Sequence, residues 1–325
     1  MSATSTDPLR SSAWGRICLF GEHQDYLRLP VIAAAVQLHI TITGTPRRDD
    51  LLVLHLPDIG AEHVFPLRTT LPYAHMRDYL PAAINVLRRD GVHPAHGWEC
   101  TVQGTIPINA GTSSSSALVV AWVKFLVQAS GAERTPAEVA ILANRAEVLE
   151  FGEPGGLMDH YLSALGGIQY LDFTTQPARI ESLHAPLSGF ILGDSQEPKA
   201  TTGVLHAARQ ESEAALAWLQ IQAPDLDFYS DPIDDFAETL AVMPAALARK
   251  LQANLVNRDL CQHAHALLRQ GSVDPSVLGS MLSEHHRQLA TGIGVSTPKL
   301  DRMVHAACDA GAFGGKLNGL SLIHI

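Results

Sequence analysis

The sequence predicts an α+β protein of two domains, and three observations lead to this class. The chain has 325 residues, of which 46% are hydrophobic and 17% charged, so it can fill one large or two medium cores. Its first part alternates strand-like and helical runs, whereas its last part is mostly helical. Because the character of the chain changes near residues 176–186, we predict domains over residues 1–180 and 181–325.

Strands are predicted where apolar and polar residues alternate, or where apolar runs lie between Gly and Pro. We expect the strands at residues 51–55 and 62–66 to pair with the strand at 31–43 as an antiparallel ribbon. In the first domain the predicted strands cover residues 31–43, 51–55, 62–66, 98–105 and 167–173. In the second domain, residues 189–195 predict a short strand that ends in polar residues.

Helices are predicted from apolar residues at helical spacing and from signals at their ends. Thr135 and Glu138 form a capping box around Pro136, so a helix is predicted from there to about residue 151. Asp274 and Thr297, each followed by Pro, are two further start signals. The remaining predicted helices cover residues 76–89, 117–129, 202–219, 244–257, 260–269, 274–292 and 297–310.

The charge and cysteine content restrict the class of partner. The formal net charge is -10 and no Lys/Arg block occurs, which argues against nucleic acid or an anionic membrane as partner. Four widely spaced cysteines are typical of a reducing compartment. The first residues lack a signal pattern, and no apolar stretch approaches a membrane span. We therefore expect a cytoplasmic monomer or homodimer with a small-molecule substrate.

A hydroxyl-rich turn lies between the predicted strand at 98–105 and the predicted helix at 117–129. It reads Pro-Ile-Asn-Ala-Gly-Thr-Ser-Ser-Ser-Ser over residues 107–116. The start of a helix presents backbone N–H groups and the positive end of its dipole, and small residues let a phosphate approach them. The turn is compatible with a phosphate-binding loop and equally with a Ser-rich connection that caps the helix.

A second polar turn follows an apolar strand near the N-terminus. Glu22, His23, Asp25 and Tyr26 lie within five positions at the end of the run Ile-Cys-Leu-Phe. Polar side chains packed so densely at a strand end are more typical of a site than of a scaffold, although a solvated turn has the same composition.

Four segments, in this order, resemble the GHMP kinase family over nearly the whole chain. Gly-Arg-x-x-Leu-x-Gly-Glu-His-x-Asp-Tyr resembles the galactokinase signature, with Cys18 where that signature has Asn, and Leu-Phe-Gly-Glu-His is also close to mevalonate kinases. Pro-x-x-Ala-Gly-x-Ser-Ser-Ser resembles the family's phosphate loop, and Gly-x-Pro-x-Gly-x-Met-Asp its catalytic segment. Residues 311–319 resemble the approach to its third motif.

The resemblance implies the two-domain GHMP kinase fold. Its N-terminal domain is a ribosomal-protein-S5-domain-2-like α/β domain, and its C-terminal domain is a ferredoxin-like α+β domain. The family's third motif continues into a Gly-rich turn and a closing strand pair, whereas here residues 320–325 read Leu-Ser-Leu-Ile-His-Ile. We therefore expect a truncated C-terminus and an unpaired sheet edge in the second domain.

The resemblance also implies the roles of individual residues in phosphoryl transfer from ATP with Mg²⁺. Asp159 is the general base or the carboxylate that orients the acceptor hydroxyl, and Arg16 is the cation that keeps Asp159 ionised. Ser115 and Glu147 are the implied Mg²⁺ ligands. The implied sugar-binding residues are Glu22, His23, Asp25 and Gly156. The implied ATP-binding residues are Pro107, Ala110, Gly111, Ser113, Ser114, Ser115 and Ser116. The sequence does not fix the adenine pocket, which we place only loosely among residues 66–80.

Three functions remain open from the sequence. The first is a galactokinase-like sugar kinase that phosphorylates C1, although Leu-Arg-Leu-Pro at 27–30 replaces the Asn-Gly-rich segment of typical galactokinases. The second is a mevalonate-type isoprenoid kinase, and the third is a catalytically silent sugar sensor. No Walker-type GxxxxGK[ST] sequence and no protein-kinase HRD or DFG sequence occurs. The histidine pairs 263/265 and 285/286 lack a zinc-ligand spacing, so we interpret them as helix-surface residues.

Overall fold

The computed structural model describes residues 7–107, 111–153, 155–187, 189–196, 201–319 and 322–324, and Ala110 lies outside these ranges. The chain divides into two compact units. The first contains Met1–Arg16, Ala35–Ile108 and Ser113–Gly166, and the second contains Ile17–Ala34, Asn109–Thr112 and Gly167–Ile325. This division differs from a cut at residue 180, and residues 31–34 of the second unit pair with residues 168–171. The two sequence domains stay a prediction.

The first unit is a sheet covered by helices. Its elements are β1 (Leu9–Phe20, to Arg16), β2 (Val31–Pro46, from Ala35), β3 (Leu51–Leu56), β4 (Ala61–Pro66), α1 (Tyr79–Arg89), β5 (Trp98–Gly104), α2 (Ser114–Ala129), α3 (Pro136–Glu147) and α4 (Met158–Leu165). The strands lie in the order β4, β3, β5, β2, with β3 and β5 parallel and the other two pairs antiparallel.

The predicted antiparallel ribbon is therefore only half right. Strands β3 and β4 pair as expected, with Leu51 opposite Pro66. However, β5 lies between β2 and β3, with Ile40 of β2 opposite Gly104 and Leu52 of β3 opposite Trp98. This insertion joins segments more than 40 residues apart in the chain, which hydrophobic alternation within each strand cannot reveal.

Helix α2 is buried on most sides at the centre of the first unit. Its Trp122 is fully buried and donates from Nε1 to the carbonyl oxygen of Leu80 in α1 at 3.2 Å. The predicted capping box at the start of α3 is confirmed, since the Thr135 side chain accepts from Glu138 N and the Glu138 carboxylate accepts from Thr135 N. These contacts hold α2 against α1 and fix the start of α3, and both helices carry candidate site residues.

Among its described residues, the second unit combines two groups of strands with five α-helices. Its further elements are β6 (Ile168–Asp172), β7 (Arg179–Leu183), β8 (Leu192–Asp194), α5 (Thr201–Gln222), α6 (Ala237–Val242), α7 (Ala245–Arg269), α8 (Pro275–Arg287), α9 (Pro298–Asp309), β9 (Lys316–Asn318) and β10 (Leu322–His324). The first residues of β2 pair with β6 and β6 pairs with β7, both antiparallel. In the described part of the chain, no helix is long and apolar enough to cross a bilayer.

Helix α7 is continuous, although two helices with a break near residue 258 were predicted. At the expected break, the polar residues Asn257 and Arg258 are buried instead of exposed. Arg258 is 2% exposed, and its guanidinium donates to the carbonyl oxygens of Phe228 and Asp231 at 2.6 and 2.7 Å. Carbonyls from another segment thus satisfy the charge and let the helix continue.

The last described strand departs from the expected unpaired edge. Strand β10 lies between β8 and β9 and pairs with both antiparallel, with Leu322 opposite Asp194 and Asn318. Among the described residues, this sheet has three strands. The predicted truncation of the C-terminus stays a prediction.

Candidate active site

Arg16 and Asp159 form a bidentate ion pair in the first unit. Arg16 lies in β1 and Asp159 in the first turn of α4. The Nε and Nη2 atoms of Arg16 donate to Oδ1 and Oδ2 of Asp159, each at 2.7 Å. The Arg16 side chain is 7% exposed and that of Asp159 is 27% exposed. The planar guanidinium therefore fixes the plane of a carboxylate that solvent can still reach.

The charge state of Asp159 follows from this pairing. Burial by itself would raise the pKa of the carboxyl group. The Arg16 charge, its hydrogen bonds and the Ser113 hydroxyl outweigh burial and lower the pKa of Asp159 to about 2. Asp159 is ionised at neutral pH, and a carboxylate of such low pKa is a weak base. The geometry therefore favours orientation of an acceptor hydroxyl over full removal of its proton.

Ser113 connects the start of α2 to this pair. It occupies the N-cap position with a left-handed backbone (φ 58°, ψ 48°), and its side chain does not cap the helix. Its hydroxyl instead donates to Asp159 Oδ2. The predicted ATP-binding residue Ser113 and the predicted catalytic residue Asp159 are thus in direct contact.

The rest of the predicted phosphate loop has the features of an anion site. Helix α2 begins at Ser114, and the first N–H groups of a helix have no acceptor within it. Ser115 is exposed, whereas Thr112 is buried and its hydroxyl has no hydrogen-bond partner among the described residues. Gly111 has a φ of 78°, which suits glycine. The predicted roles of these residues, of exposed Pro107 and of Ser116 stay predictions.

Glu147, the implied Mg²⁺ ligand, is buried at the end of α3 and is not a surface charge. Its Oε2 atom lies 2.8 Å from Nε2 of His160. Asn144 Nδ2 lies 3.4 Å from the other ring nitrogen of His160 and donates to the Gly156 carbonyl at 2.9 Å. Since the Asn144 amide is a donor, Nε2 of His160 carries the hydrogen and donates it to Glu147.

Ser115 and Glu147 offer the hydroxyl and carboxylate oxygens that a hard cation prefers. A carboxylate held by a neighbouring ring N–H is typical of metal ligands, because the second contact fixes its orientation. The chemistry of these two oxygen donors is compatible with Mg²⁺, and their role as its ligands stays a prediction. In the described ranges, no group of three or more His, Cys, Asp or Glu side chains is arranged to hold a metal by itself.

The predicted sugar-binding turn belongs to the second unit. Gly21 has a φ of 86°, and a Cβ atom there would lie 2.8 Å from Pro30 O, so the turn requires glycine. Glu22 is 2% exposed, and its Oε2 lies 3.0 Å from Nζ of Lys316. Asp25 begins a 3₁₀ turn and accepts from Tyr26 N at 3.0 Å.

His23 has a left-handed backbone with a φ of 59° and is half-buried. The contact with Lys316 holds the Glu22 carboxylate in place. A carboxylate that served only as an open acceptor for sugar hydroxyls would not require such a contact. The sugar-binding roles of Glu22, His23, Asp25 and Gly156 stay predictions.

Sequence reasoning missed three residues that contact predicted site residues within one unit or the other. Asn144 lies three positions before Glu147 on one helix face, and His160 directly follows Asp159. Helical spacing could have indicated Asn144. No local signal could have paired Lys316 with Glu22, because they are 294 positions apart.

The interpretation of residues 285 and 286 as surface histidines is wrong. His285 is fully buried and stacks on Phe20 with ring centroids 5.9 Å apart, and His286 is 7% exposed. The His286 ring accepts at Nδ1 from Leu317 N, and its Nε2 lies 3.1 Å from Asp301 Oδ1. Neutral imidazoles can be buried when other chain segments supply partners, and helix spacing does not show this.

Two family patterns match the segments from which these residues come. The pattern "GHMP kinases N terminal domain" matches residues 78–167, which include the start of α2, Glu147 and Asp159. The pattern "Galactokinase galactose-binding signature" matches residues 3–46, which include Arg16 and Glu22. The chain therefore contains a GHMP kinase N-terminal domain and a galactokinase galactose-binding signature, and it is similar to galactokinase-like GHMP kinases. The predicted resemblance is therefore confirmed.

Relatives and solved structures extend this similarity along most of the chain. Galactokinase of Bos taurus is 28% identical over 333 residues, which cover 96% of this chain and 81% of the relative. The structure of Lactococcus lactis galactokinase complexed with galactose has a TM-score of 0.86, at 21% identity over 98% of this chain and 85% of that one.

Methanococcus jannaschii mevalonate kinase has a TM-score of 0.68, at 18% identity over 100% of this chain and 91% of that one. The predicted two-domain GHMP kinase fold is confirmed by these neighbours.

Proposed function

We propose that this protein transfers the γ-phosphoryl group of ATP to a hydroxyl group of a free sugar, at C1, giving a sugar 1-phosphate and ADP. The observation that carries the proposal is the Arg16–Asp159 pair with the Ser113 hydroxyl on the same carboxylate. Phosphoryl transfer requires little more than a positioned hydroxyl and compensated charge. The galactokinase signature and the curated galactokinases support a sugar as acceptor.

Asp159 accepts a hydrogen bond from the acceptor hydroxyl and directs its oxygen toward the γ-phosphorus. A metaphosphate-like transition state needs little proton removal before the new O–P bond forms, so a weak base suffices. As the new O–P bond forms, the bond between the γ-phosphorus and the β–γ bridging oxygen breaks and ADP leaves. The hydroxyl proton passes late in this step to the Asp159 carboxylate, which releases it to solvent. Arg16 keeps Asp159 ionised and fixes its orientation.

ATP binds with its phosphates on the loop at Gly111 and on the first turn of α2, where Ser114 and Ser116 lie. The buried Thr112 hydroxyl has no partner among the described residues, and this supports a ligand there, because buried polar groups are normally hydrogen-bonded. Ser115 and Glu147 hold Mg²⁺, which would supply neutralisation of phosphate charge. The formal net charge of the chain is -10, which is compatible with phosphate binding by backbone N–H groups and a metal ion.

The adenine base occupies an aromatic cluster of the first unit. Tyr73 and Tyr79 both contact the ring of Phe151, with centroids 5.3 and 5.9 Å apart. All three rings are half-buried and can offer a face to a purine. Residues 66–80, predicted to contain this pocket, include both tyrosines.

A mevalonate-type kinase is the second candidate. The segment Leu-Phe-Gly-Glu-His at 19–23 and the Methanococcus jannaschii neighbour favour it. A silent sugar sensor has less support, because a sensor need not keep Arg16, Ser115, Glu147 and Asp159 together. We further propose a cytoplasmic location, which the wide spacing of the four cysteines supports. For the oligomeric state, we propose either a monomer or a homodimer.

A substrate panel tests the proposed function. Purified chain is mixed with ATP, Mg²⁺ and one acceptor at a time: galactose, glucose, mannose, N-acetylgalactosamine or mevalonate. We expect ADP formation with at least one free sugar and none with 1-O-methyl galactoside, whose C1 hydroxyl is blocked. Turnover of mevalonate alone would replace the proposal by the second candidate. Sugar binding in calorimetry without turnover of any acceptor would establish the sensor.

Replacing His160 tests the metal site. His160→Leu removes the N–H that fixes Glu147, so we expect the Mg²⁺ concentration for half-maximal activity to rise about 10-fold. His160→Gln keeps a donor and should stay within about two-fold of the parent. Calorimetric titration of Mn²⁺ into the ATP complex gives a readout independent of turnover.

The matched control for this test is His265→Leu. His265 pairs with Glu181 at 3.2 Å in the second unit and has no proposed role in binding metal. An equal metal requirement in His160→Leu and in the parent would contradict the assignment of Glu147.

A further inference from the structure

One face of the short strand β9 carries two buried polar side chains. Lys316 and Asn318 are two positions apart, so their side chains point to the same side of the strand. Both are fully buried. Lysine is almost never fully buried unless it is paired, so its position requires an explanation. Both side chains contact other segments of the second unit.

Lys316 contacts the predicted acceptor turn. Its Nζ donates to Cys18 O at 2.8 Å and to Glu22 Oε2 at 3.0 Å. A rigid strand therefore determines where one oxygen of the Glu22 carboxylate lies. Because the pair is buried, loss of either partner leaves an uncompensated charge.

Asn318 contacts the predicted phosphate loop. Its Nδ2 donates to Gly111 O at 3.0 Å, and its Oδ1 accepts from Cys18 N at 2.8 Å. The backbones are also close, since a Cβ atom at Gly319 would lie 3.2 Å from Gly111 Cα. Gly319 has a φ of 60°, so glycine suits this approach on two grounds. Cys18 is thus the common anchor of both contacts.

We infer that Lys316 and Asn318 are positioning residues for the two substrates: Lys316 orients Glu22 toward the acceptor, and Asn318 sets the backbone of Gly111 for the nucleotide phosphates. This inference rests on the proposed function for the identity of the ligands. The contacts separate the two effects. Lys316 reaches Glu22, and Asn318 reaches Gly111.

The experiment compares Lys316→Met with Asn318→Leu, both of which keep side-chain size while removing the polar contact. We expect Lys316→Met to raise the acceptor KM about 10-fold, with the ATP KM within about two-fold of the parent. Asn318→Leu should raise the ATP KM about 10-fold, with the acceptor KM within about two-fold. The kcat values should change less than the affected KM values.

Two further variants separate positioning from loss of stability. Glu22→Gln/Lys316→Met removes both charges, so it should recover much of the lost melting temperature while the acceptor KM stays high. Val304→Ala shortens a side chain of the core cluster that also contains Leu317. This control should lower the melting temperature without separating the two KM values. Equal KM changes in all variants would overturn the inference.

Hydrogen exchange of the ligand-free chain keeps the test independent of turnover. Lys316→Met should speed exchange at least five-fold in the peptide that contains Glu22, and Asn318→Leu in the peptide that contains Gly111. Val304→Ala should not selectively speed exchange in either of these two peptides. If the parent turns over no acceptor, the proposed function fails, yet this exchange pattern still supports or overturns the positioning of the two segments.

Discussion

Asp159→Asn is expected to lower kcat about 10³-fold, within the range of about 10²- to 10⁴-fold for a positioned acid–base group. Asparagine keeps the shape of the side chain and can still accept from Arg16, so the fold should persist. It lacks the negative charge that holds the acceptor hydroxyl and balances Arg16. Steady-state ADP formation measures the loss, and calorimetry should show that ATP binding stays within about three-fold of the parent.

The matched control for Asp159→Asn is Asp90→Asn. Asp90 accepts from Arg145 at 3.0 Å in the same unit, but both side chains are about one third exposed and have no proposed catalytic role. This variant also removes an Arg–Asp pair and should keep kcat within about two-fold. Full activity in Asp159→Asn would remove Asp159 from the mechanism.

Arg16→Met is expected to lower kcat about 10²-fold and to move the acid limb of the pH–rate profile upward. In the parent, the pKa of Asp159 is about 2, so the ionised form persists at every pH at which the fold is tested. Without the guanidinium, burial is the dominant influence and raises the pKa of the carboxyl group. Activity that requires ionised Asp159 is then lost at a higher pH as the solution is acidified.

The profile of kcat/KM between about pH 5 and 9 measures this shift, because it reports the free enzyme's essential groups. Arg145→Met, which breaks the surface pair with Asp90, should leave the profile unchanged. The same linkage affects stability. A lowered pKa contributes stability that is present above the ordinary value of 3.8 and lost as the pH falls toward 2, and Arg16→Met should remove this contribution. A profile identical to the parent's would show that Arg16 does not set the charge state of Asp159.

The short-range features of the fold were open to prediction because their causes lie within a few residues. The capping box of Thr135 and Glu138 is complete within one helical turn, and the Asp274 side chain caps α8 by accepting from Ser276 N. Predicting the hydroxyl-rich turn before α2 required only a strand, small residues and a helix start that follow one another in the chain. The order of four family-like segments added the kinase fold and the identities of Arg16 and Asp159.

Features that depend on distant segments were missed or misread. The helix break predicted near Arg258 does not occur, because the Arg258 guanidinium donates to carbonyl oxygens about 30 positions earlier in the chain. Strand β5 lies between β2 and β3, which were expected to pair because they are neighbours in the chain. Helix α4, which carries Asp159 and His160, is short and follows a Gly-rich segment, so the sequence pattern did not reveal it. Burial of His285 depends on Phe20, which lies far away in the chain.

The sequence by itself determined local elements such as the capping box of α3 and the hydroxyl-rich turn before α2. Through its resemblance to GHMP kinases, it also predicted the type of chemistry: a helix start for phosphate, a carboxylate with a basic residue, and a polar turn for the acceptor. Only the tertiary structure decided how these groups are held. It joined Arg16 to Asp159 through two hydrogen bonds, placed His160 on Glu147, and placed Lys316 on Glu22. The physical reason is that a helix or turn needs only local hydrogen bonds, whereas a buried charge needs a partner wherever the fold brings one.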